Sequence, residues 1–209
     1  IRSYSFSSKP SDPNPAITVK RVTGGKMSNY IFENADQIEI WEIEAPFGNF
    51  VLEDTIAAQS KIVLLAGGSG IAPLFSMLNS IDSSRQIPLL IYSNKTPSET
   101  IFYNELETLE INESLEICYS FTSPEFISTK INHMAGRFSL LVLRSIIKRL
   151  VPEINDAHYY ICGPTGLMDL YKNALTGLNI PEENIHLEYF DPVPVDVGDL
   201  ETDGVVKDV

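Results

Sequence analysis

The stretch KIVLLAGGSGIAPLFSML, residues 61–78, decides the fold. It opens with the apolar run Ile62–Ala66, which is typical of a strand buried on both faces of a parallel sheet. An apolar-periodic helix pattern comes later in the stretch, after a glycine-rich turn made of Gly67, Gly68, Ser69 and Gly70. Glycines at such a turn let a ligand approach the backbone, and the helix start offers N–H groups to a phosphate. The turn is therefore a candidate phosphate site, although a tight turn without a ligand has the same pattern.

Strand and helix patterns alternate over residues 56–191, which predicts an α/β domain with a parallel sheet and helices on both faces. The predicted strands are Ile62–Ala66, Pro88–Ser93, Leu115–Phe121, His158–Cys162 and Ile185–Tyr189. The predicted helices are Leu74–Ile81, Phe102–Glu110, Leu140–Leu150 and Gly166–Thr176. The loop 123–136 is long for such a domain, which favours a functional loop.

Residues 1–55 have the short alternating segments of an antiparallel β-barrel, with predicted strands at Ile17–Val22 and Gln37–Glu44. A short helix is predicted between them at Met27–Phe32. Because the chain opens at Ile1 with no Met and inside a strand-like segment, we expect a partial barrel whose N-terminal strands are missing.

The chain is strongly acidic, with a formal net charge of −13. Residues 192–209 hold five acidic residues against one lysine and predict a solvated acidic tail or linker. The charge disfavours nucleic acid and acidic membrane surfaces as partners, because nucleic acid is bound through Lys and Arg. No apolar stretch reaches the roughly 20 residues that cross a bilayer.

Cysteine and histidine are sparse. The chain has two cysteines, Cys118 and Cys162, so we expect reduced thiols and a cytoplasmic location rather than a disulfide. His133, His158 and His186 lie far apart in sequence, and no Cys or His cluster has metal-ligand spacing. The sequence therefore predicts no metal site.

Four motifs occur in an order and spacing that resemble the ferredoxin–NADP reductase superfamily. They are RSYSFSS at 2–8, GGSGIAP at 67–73, YICGP at 160–164 and LEYF at 187–190. The chain looks most like the reductase components of bacterial oxygenases, of the phenylacetate-CoA epoxidase and phenol hydroxylase reductase type. The resemblance implies two domains, namely a truncated FAD-binding barrel and a parallel-sheet α/β domain that binds NAD(P)H.

The resemblance assigns two groups of residues to FAD. Arg2 offers a planar charged fork to the pyrophosphate, Tyr4 stacks beside the flavin, and Ser5 lies near the flavin N5. The second group surrounds a glycine turn before a helix and consists of Gly25, Lys26, Met27 and Ser28. Backbone N–H groups at such a turn suit a pyrophosphate. The plain alternatives are an amphipathic edge strand and an ordinary turn.

The same resemblance places the nicotinamide nucleotide at the carboxyl edge of the sheet, with its pyrophosphate on the Gly67–Gly70 turn. The residues implied beside the nicotinamide are Cys162, Gly163 and Pro164. The residues implied at the ribose end are Asn94 and Lys95. NADPH-selective relatives commonly carry an arginine where this chain has Ser123, which favours NADH unless Lys95 or Lys130 supplies the charge.

Catalytic roles are implied for Ser5, Cys162 and Glu188. In the resembled family the cysteine aligns the nicotinamide with the flavin, and the carboxylate supplies a proton or contacts a partner. Phe190 would cover the flavin face on which the nicotinamide stacks. The plain alternatives are a small buried hydrophobe for Cys162 and an ordinary edge strand for residues 187–190.

The implied function is that of a flavin-dependent reductase that passes electrons from NAD(P)H through FAD to an iron–sulfur acceptor. The expected partners are a ferredoxin-like domain or protein and an oxygenase component. A 2Fe–2S cluster would need a four-cysteine domain that is absent from this sequence. Two alternatives stay open: the reductase half of a flavohaemoglobin, and a nucleotide-binding electron-transfer or regulatory subunit without independent catalysis.

Overall fold

The computed structural model of the chain describes residues 2–190 except 44, 124 and 129. Six strands form one sheet: β1 (Ile62–Gly67), β2 (Leu89–Asn94), β3 (Glu116–Phe121), β4 (His133–Ala135), β5 (His158–Gly163) and β6 (Ile185–Tyr189). Their order is β4-β3-β2-β1-β5-β6, and each neighbouring pair is parallel. The predicted parallel sheet is confirmed. The predicted tail at 192–209 lies outside the described residues.

The described helices are α1 (Lys26–Asn34), α2 (Asp54–Gln59), α3 (Ile71–Leu78), α4 (Tyr103–Ile111), α5 (Leu140–Leu150) and α6 (Thr165–Thr176). Helix α3 begins at Ile71, earlier than predicted, because the 3-10 turn Gly68–Gly70 leads straight into it. Pro73 lies in its first turn, where the missing N–H removes no helical hydrogen bond. Among the described residues, no helix has the length and apolar content that crossing a bilayer demands.

The two faces of the sheet bury separate apolar clusters. Val63 and Leu65 of β1 pack in the cluster that includes α5 and α6. Leu64 and Ala66 pack in the opposite cluster with α3 and α4, as the alternation of side chains along a strand requires. All six residues of β1 are buried, as its apolar run predicts. The carboxyl end of β1, where the glycine-rich turn begins, is therefore held from both sides.

The long loop predicted at 123–136 contains β4, which the sequence pattern does not reveal. This three-residue strand pairs with β3 through Tyr119 and His133, among others. The Ser120 hydroxyl donates to the Gly136 carbonyl at 2.6 Å and fixes the exit from the strand. A strand that reads HMA is too short to show alternation and contains no β-branched residue, so it depends on the edge of β3 for its formation.

The N-terminal part differs from the prediction in its strands. In the described residues 2–55, one isolated antiparallel bridge joins Phe6 to Ile17, and no strand forms at 17–22 or 37–44. Two short segments are fewer than the three or more strands that a stable sheet needs. The predicted helix is confirmed as α1. The Ser76 hydroxyl of α3 donates to the Ser8 carbonyl at 2.6 Å and ties the N-terminal segment to the sheet domain.

Two histidines meet at the amino-terminal end of β5 and β6. His158 Nδ1 and His186 Nε2 are 3.1 Å apart, and the His186 ring stacks on Tyr160 with centroids 4.4 Å apart. Burial lowers the pKa of both imidazoles, and His158 lowers the pKa of His186 further; the charge of Glu53 acts weakly in the opposite direction. One ring must accept the proton that the other donates, so the pair requires at least one neutral imidazole.

We expect the thermal midpoint of the protein to fall as the pH drops below about 6.5, the ordinary histidine value. Since the folded-state pKa of each histidine is lowered, the unfolded chain takes up protons first, and the stability present above that pH is lost below it. His186→Gln should flatten this dependence in a thermal melt measured between about pH 7.5 and about pH 5. An unchanged slope in the variant would contradict the assignment to this pair.

Candidate functional site

The glycine-rich turn follows β1 at the carboxyl edge of the sheet. Gly68 has a φ of +50°, a left-handed conformation that favours glycine. Gly70 is required by packing instead, because a Cβ there would lie 2.3 Å from the Cys162 carbonyl oxygen and 2.6 Å from the Gly163 nitrogen. A Cβ on Gly67 would lie 2.4 Å from the Leu167 side chain. Packing therefore accounts for Gly67 and Gly70, and ligand approach at Gly68 stays a prediction.

Cys162 and Glu188 lie side by side at the ends of β5 and β6, where they are register partners. Cys162 is fully buried. Burial raises the pKa of its thiol, and the nearby charge of Glu188 raises it further. Burial also raises the pKa of the Glu188 carboxyl. The thiol therefore stays protonated, and the carboxyl is poised to hold a proton closer to neutral pH than an exposed glutamate is.

Lys20 is a site residue that sequence reasoning missed. Its ammonium nitrogen lies 3.8 Å from the position that a Cβ on Gly68 would occupy. Lys20 makes no ion pair with an acidic side chain in the described part of the chain. Gly68 is 48 positions away from Lys20 in sequence, so no local sequence pattern could have indicated that these two residues lie close together.

The carboxyl ends of β2 and β3 lie at the same edge of the sheet, on the side of β1 away from β5. Asn94 is buried, and its Nδ2 has no hydrogen-bond partner among the described residues. Lys95 is exposed and pairs with Glu99 at 3.5 Å, so its charge is partly compensated. The Ser123 N–H donates to the Lys95 carbonyl at 2.9 Å, which brings the loop after β3 beside the loop after β2. An unpartnered buried amide at this edge suits a polar ligand.

The residues assigned to flavin surround the start of α1. Gly24 has a φ of +74°, with nothing within 4 Å of where its Cβ would be. The Ser28 hydroxyl is buried and accepts from the Val22 N–H at 3.2 Å, which leaves its own proton for a further acceptor. The same helix start includes Lys26, Met27 and their preceding residue Gly25. This cradle is open to an anion, because first-turn N–H groups have no partner within a helix.

The remaining assigned residues lie in the N-terminal segment and directly after β5 and β6. Arg2 and Tyr4 are exposed and Ser5 is partly buried, in the segment that Ser76 ties to α3. Phe190, directly after β6, is 42% exposed. Pro164 is exposed and precedes α6. Among the described residues, no group of three or more His, Cys, Asp or Glu side chains is arranged to hold a metal ion.

Comparison with known families decides the assignment of this fold. Residues 64–173 match the oxidoreductase NAD-binding domain, and residues 1–52 match the oxidoreductase FAD-binding domain. The chain belongs to the oxidoreductase NAD-binding family. Its two parts are the NAD-binding and FAD-binding domains of the ferredoxin–NADP reductase superfamily, as the four motifs indicate.

Individual relatives agree with this family. The chain is 32% identical over 204 residues to the glycine betaine monooxygenase reductase subunit of Pseudomonas aeruginosa. The aligned region makes up 94% of this chain and 53% of that protein. It is 30% identical over 203 residues to a flavohemoprotein of Bacillus cereus. Here the aligned region makes up 91% of this chain and 48% of that protein. The chain thus spans about half the length of the curated relatives it matches.

Solved structures show the same fold. The FAD/NAD-binding domain of a nitric oxide dioxygenase from Vibrio cholerae superposes with a TM-score of 0.73 at 22% identity, over 91% of this chain and 77% of that one. Phthalate dioxygenase reductase gives a TM-score of 0.64 at 25% identity, over 90% of this chain and 53% of that one. The residues present fit both cofactors, because the Gly24 turn leaves open space before a helix and, among the described residues, the Gly68 turn is approached only by the Lys20 ammonium, which suits a phosphate.

We expect Gly70→Ala to destabilise the protein by about 2 kcal/mol or more and to weaken nucleotide binding. The added methyl would collide with the backbone of Cys162 and Gly163, which cannot rotate away as a flexible side chain can. For a chain of this size, about 2 kcal/mol corresponds to a thermal midpoint lower by roughly 5 °C.

Gly166→Ala is the matched control, because nothing lies within 4 Å of the position its Cβ would take in α6. We expect the free energy of unfolding of this variant to rise by up to about 1 kcal/mol, since alanine is a better helix former than glycine. Equal midpoints for the two variants would contradict the packing explanation for Gly70.

Proposed function

We propose that this chain is part of a reductase that passes electrons from NAD(P)H through FAD to an iron–sulfur acceptor. The observation that carries the proposal is the tight backbone contact between Gly70 and Cys162, which joins the candidate phosphate turn to the next strand end. Lys20, from the FAD-binding part, reaches the same turn. Membership of an oxidoreductase family supports this assignment.

Bound NAD(P)H supplies a hydride, and bound FAD accepts it and passes the electrons on singly. The protein's contribution is to bind and align the two molecules. N–H groups of the Gly67–Gly70 turn and the Lys20 ammonium hold the nucleotide pyrophosphate, and Asn94 donates its unpartnered amide at the ribose end, near Lys95. We assign NADH as the preferred nucleotide, because Ser123 carries no charge and Lys95 is already paired with Glu99.

On the flavin side, Arg2 and the first turn of α1 hold the pyrophosphate, while Tyr4 and Phe190 bound the ring. Ser5, in the same segment as Tyr4, would offer its hydroxyl to a bound flavin as a hydrogen-bond donor. The proposed pyrophosphate cradle comprises the Gly25 turn, the N–H groups of Lys26, Met27 and Ser28 and the Ser28 hydroxyl, while the Gly25 N–H itself donates to the Val22 carbonyl at 2.9 Å. Exposed aromatic faces on Tyr4 and Phe190, 36% and 42% exposed, support this role because an aromatic ligand ring can stack there.

Cys162 and Glu188 act in alignment and proton supply rather than as a nucleophile and base. A buried thiol whose pKa is raised does not form the thiolate that nucleophilic attack requires. Cys162, with Gly163 and Pro164, instead forms the wall against which the nicotinamide packs. Glu188, whose pKa is raised by burial, holds a proton for delivery near the flavin.

Two relatives support the proposed class of electron acceptor. The Pseudomonas aeruginosa protein is named as the reductase subunit of a monooxygenase, and phthalate dioxygenase reductase is described as transferring electrons from pyridine nucleotides to [2Fe-2S]. We therefore propose a ferredoxin-like domain or protein and an oxygenase component as partners. A cytoplasmic location accords with the free thiols of Cys118 and Cys162.

A second candidate, the reductase half of a flavohaemoglobin, is favoured by the similarity to the Bacillus cereus flavohemoprotein. The two candidates differ in the acceptor and not in this site. Adding a [2Fe–2S] ferredoxin or a globin to the NADH-reduced protein separates them, because only the true acceptor should draw electrons at a rate near turnover.

We expect the purified protein to show the visible absorption of bound flavin and to lose it on anaerobic mixing with NADH, faster than with NADPH. Cys162→Ala should retain flavin but be reduced about tenfold more slowly in stopped-flow, since small misplacement of reacting groups has large rate effects. A colourless protein that binds nucleotide would instead support a nucleotide-binding subunit without catalysis. Reduction of Cys162→Ala at the wild-type rate would remove the alignment role.

Lys20→Met should weaken NADH binding about tenfold to a hundredfold, because a charge-assisted hydrogen bond contributes about 1.5–3 kcal/mol. The dependence of the NADH dissociation constant on salt should decrease as well. Lys61→Met is the control, since Lys61 precedes β1 at the end opposite to the glycine-rich turn and pairs with Glu116 at 2.9 Å. An equal loss of affinity in both variants would contradict a specific role for Lys20.

A further inference from the structure

We infer that Tyr92 and Tyr171 are positioning residues that hold the glycine-rich turn in its phosphate-binding orientation from opposite faces of the sheet. The inference rests on the proposed function, in which the pyrophosphate of a dinucleotide binds at this turn. Neither hydroxyl touches the ligand position itself. Each acts through a backbone carbonyl that flanks Gly67.

Tyr92, on β2, holds the turn from the face covered by α3 and α4. Its hydroxyl donates to the Gly68 carbonyl at 2.9 Å, and the Ile101 carbonyl is a more distant acceptor at 3.5 Å. The Gly68 carbonyl also accepts the Ile71 N–H at the start of α3. Both lone pairs of this carbonyl are therefore used inside the protein, which fixes its direction.

The direction of the Gly68 carbonyl decides where the next N–H points. The carbonyl of Gly68 and the N–H of Ser69 belong to one planar trans peptide, so they point in opposite directions. With the carbonyl turned inward to Tyr92, the Ser69 N–H is turned outward. Gly68 at a φ of +50° lacks a Cβ that would resist rotation of this peptide, so the hydrogen bond from Tyr92 supplies the restraint.

Tyr171, on α6, holds the strand end from the other face, in the cluster that includes α5. Its hydroxyl donates to the Ala66 carbonyl at 3.1 Å, and both groups are buried. Ala66 is the register partner of both Tyr92 and Cys162. Tyr171 therefore fixes the residue from which the turn departs, and Tyr92 fixes the turn itself.

The two phenols act as permanent donors. Burial raises the pKa of both hydroxyls, and the neighbouring Tyr92 raises the pKa of Tyr171 further. Not every buried tyrosine of this sheet has such a partner: the hydroxyls of Tyr119 and Tyr160 have no hydrogen-bond partner among the described residues. Filling core volume therefore does not account for the pairing of Tyr92 and Tyr171 with these two carbonyls.

The test measures the dissociation constant of ADP-ribose by calorimetry for wild type, Tyr92→Phe and Tyr171→Phe. ADP-ribose contains the pyrophosphate and lacks the nicotinamide, so it reports on the turn without hydride transfer. We expect the dissociation constant of ADP-ribose to rise about two- to tenfold in each variant, because this factor corresponds to the net free energy of one hydrogen bond. The limiting rate of flavin reduction at saturating NADH should stay close to that of wild type, since the residues beside the nicotinamide are untouched.

Tyr159→Phe is the matched control. Tyr159 is fully buried on β5, and its hydroxyl donates to a backbone carbonyl, that of Ile154, at 2.9 Å. The control variant should lose thermal stability in the same way but bind ADP-ribose like wild type. Should Tyr171→Phe fail to fold, the comparison of Tyr92→Phe with Tyr159→Phe decides the question.

Wild-type affinity for ADP-ribose in both Tyr92→Phe and Tyr171→Phe, with only thermal stability lowered, would overturn the inference and leave the proposed function intact. Equal weakening by Tyr159→Phe would also overturn it, because the effect would then be general to core tyrosines. Failure of the wild-type protein to bind either ADP-ribose or NADH would overturn the proposed function and this inference together.

Discussion

The candidate site depends on one constraint. The turn after β1 and the end of β5 approach each other closely, with no side chain between them. The space that a Cβ on Gly70 would need is filled by the Cys162 carbonyl at 2.3 Å. Any side chain there would push the turn after β1 away from the end of β5. Because β6 pairs with β5 in register, the same contact also sets the distance from the turn to Glu188. A single backbone contact thus couples the glycine-rich turn, proposed to bind the phosphates, to the strand ends proposed to lie beside the reacting atoms.

An acidic protein can bind two anionic cofactors only if local groups outweigh its net charge of −13. Arg21 contributes little to a ligand site, because it pairs with Glu33 at 2.9 Å and lies over the Phe32 ring at 4.6 Å. Lys20, the next residue along the chain, faces the turn at Gly68 instead. At this turn, the candidate sources of a favourable field are therefore Lys20 and the backbone N–H groups, whose dipoles are independent of the overall charge.

The sheet could be predicted from sequence because its strands are long apolar runs separated by helical patterns. The predicted start of β1 at Ile62 and the whole of β6 agree with the structure. The short strand β4 could not be predicted, because its partner β3 and not its own sequence stabilises it. The strands expected at 17–22 and 37–44 have alternating sequences, yet alternation alone does not supply the neighbouring strands that a ladder needs.

Candidate site residues can be proposed from sequence where they stand in a motif, and they cannot be proposed where they depend on tertiary contact. The turn Gly67–Gly70 and the pair Cys162 and Glu188 stand in recognisable motifs. Lys20 and Tyr171 do not, since each reaches the turn from a distant part of the chain, and a buried tyrosine has the sequence appearance of ordinary core. The raised pKa of Cys162 is likewise a consequence of burial at the centre of the sheet. A neutral thiol adds no charge at this strand end, so in the proposed site any local electrostatic contribution would come from Lys20, the backbone and the cofactors themselves.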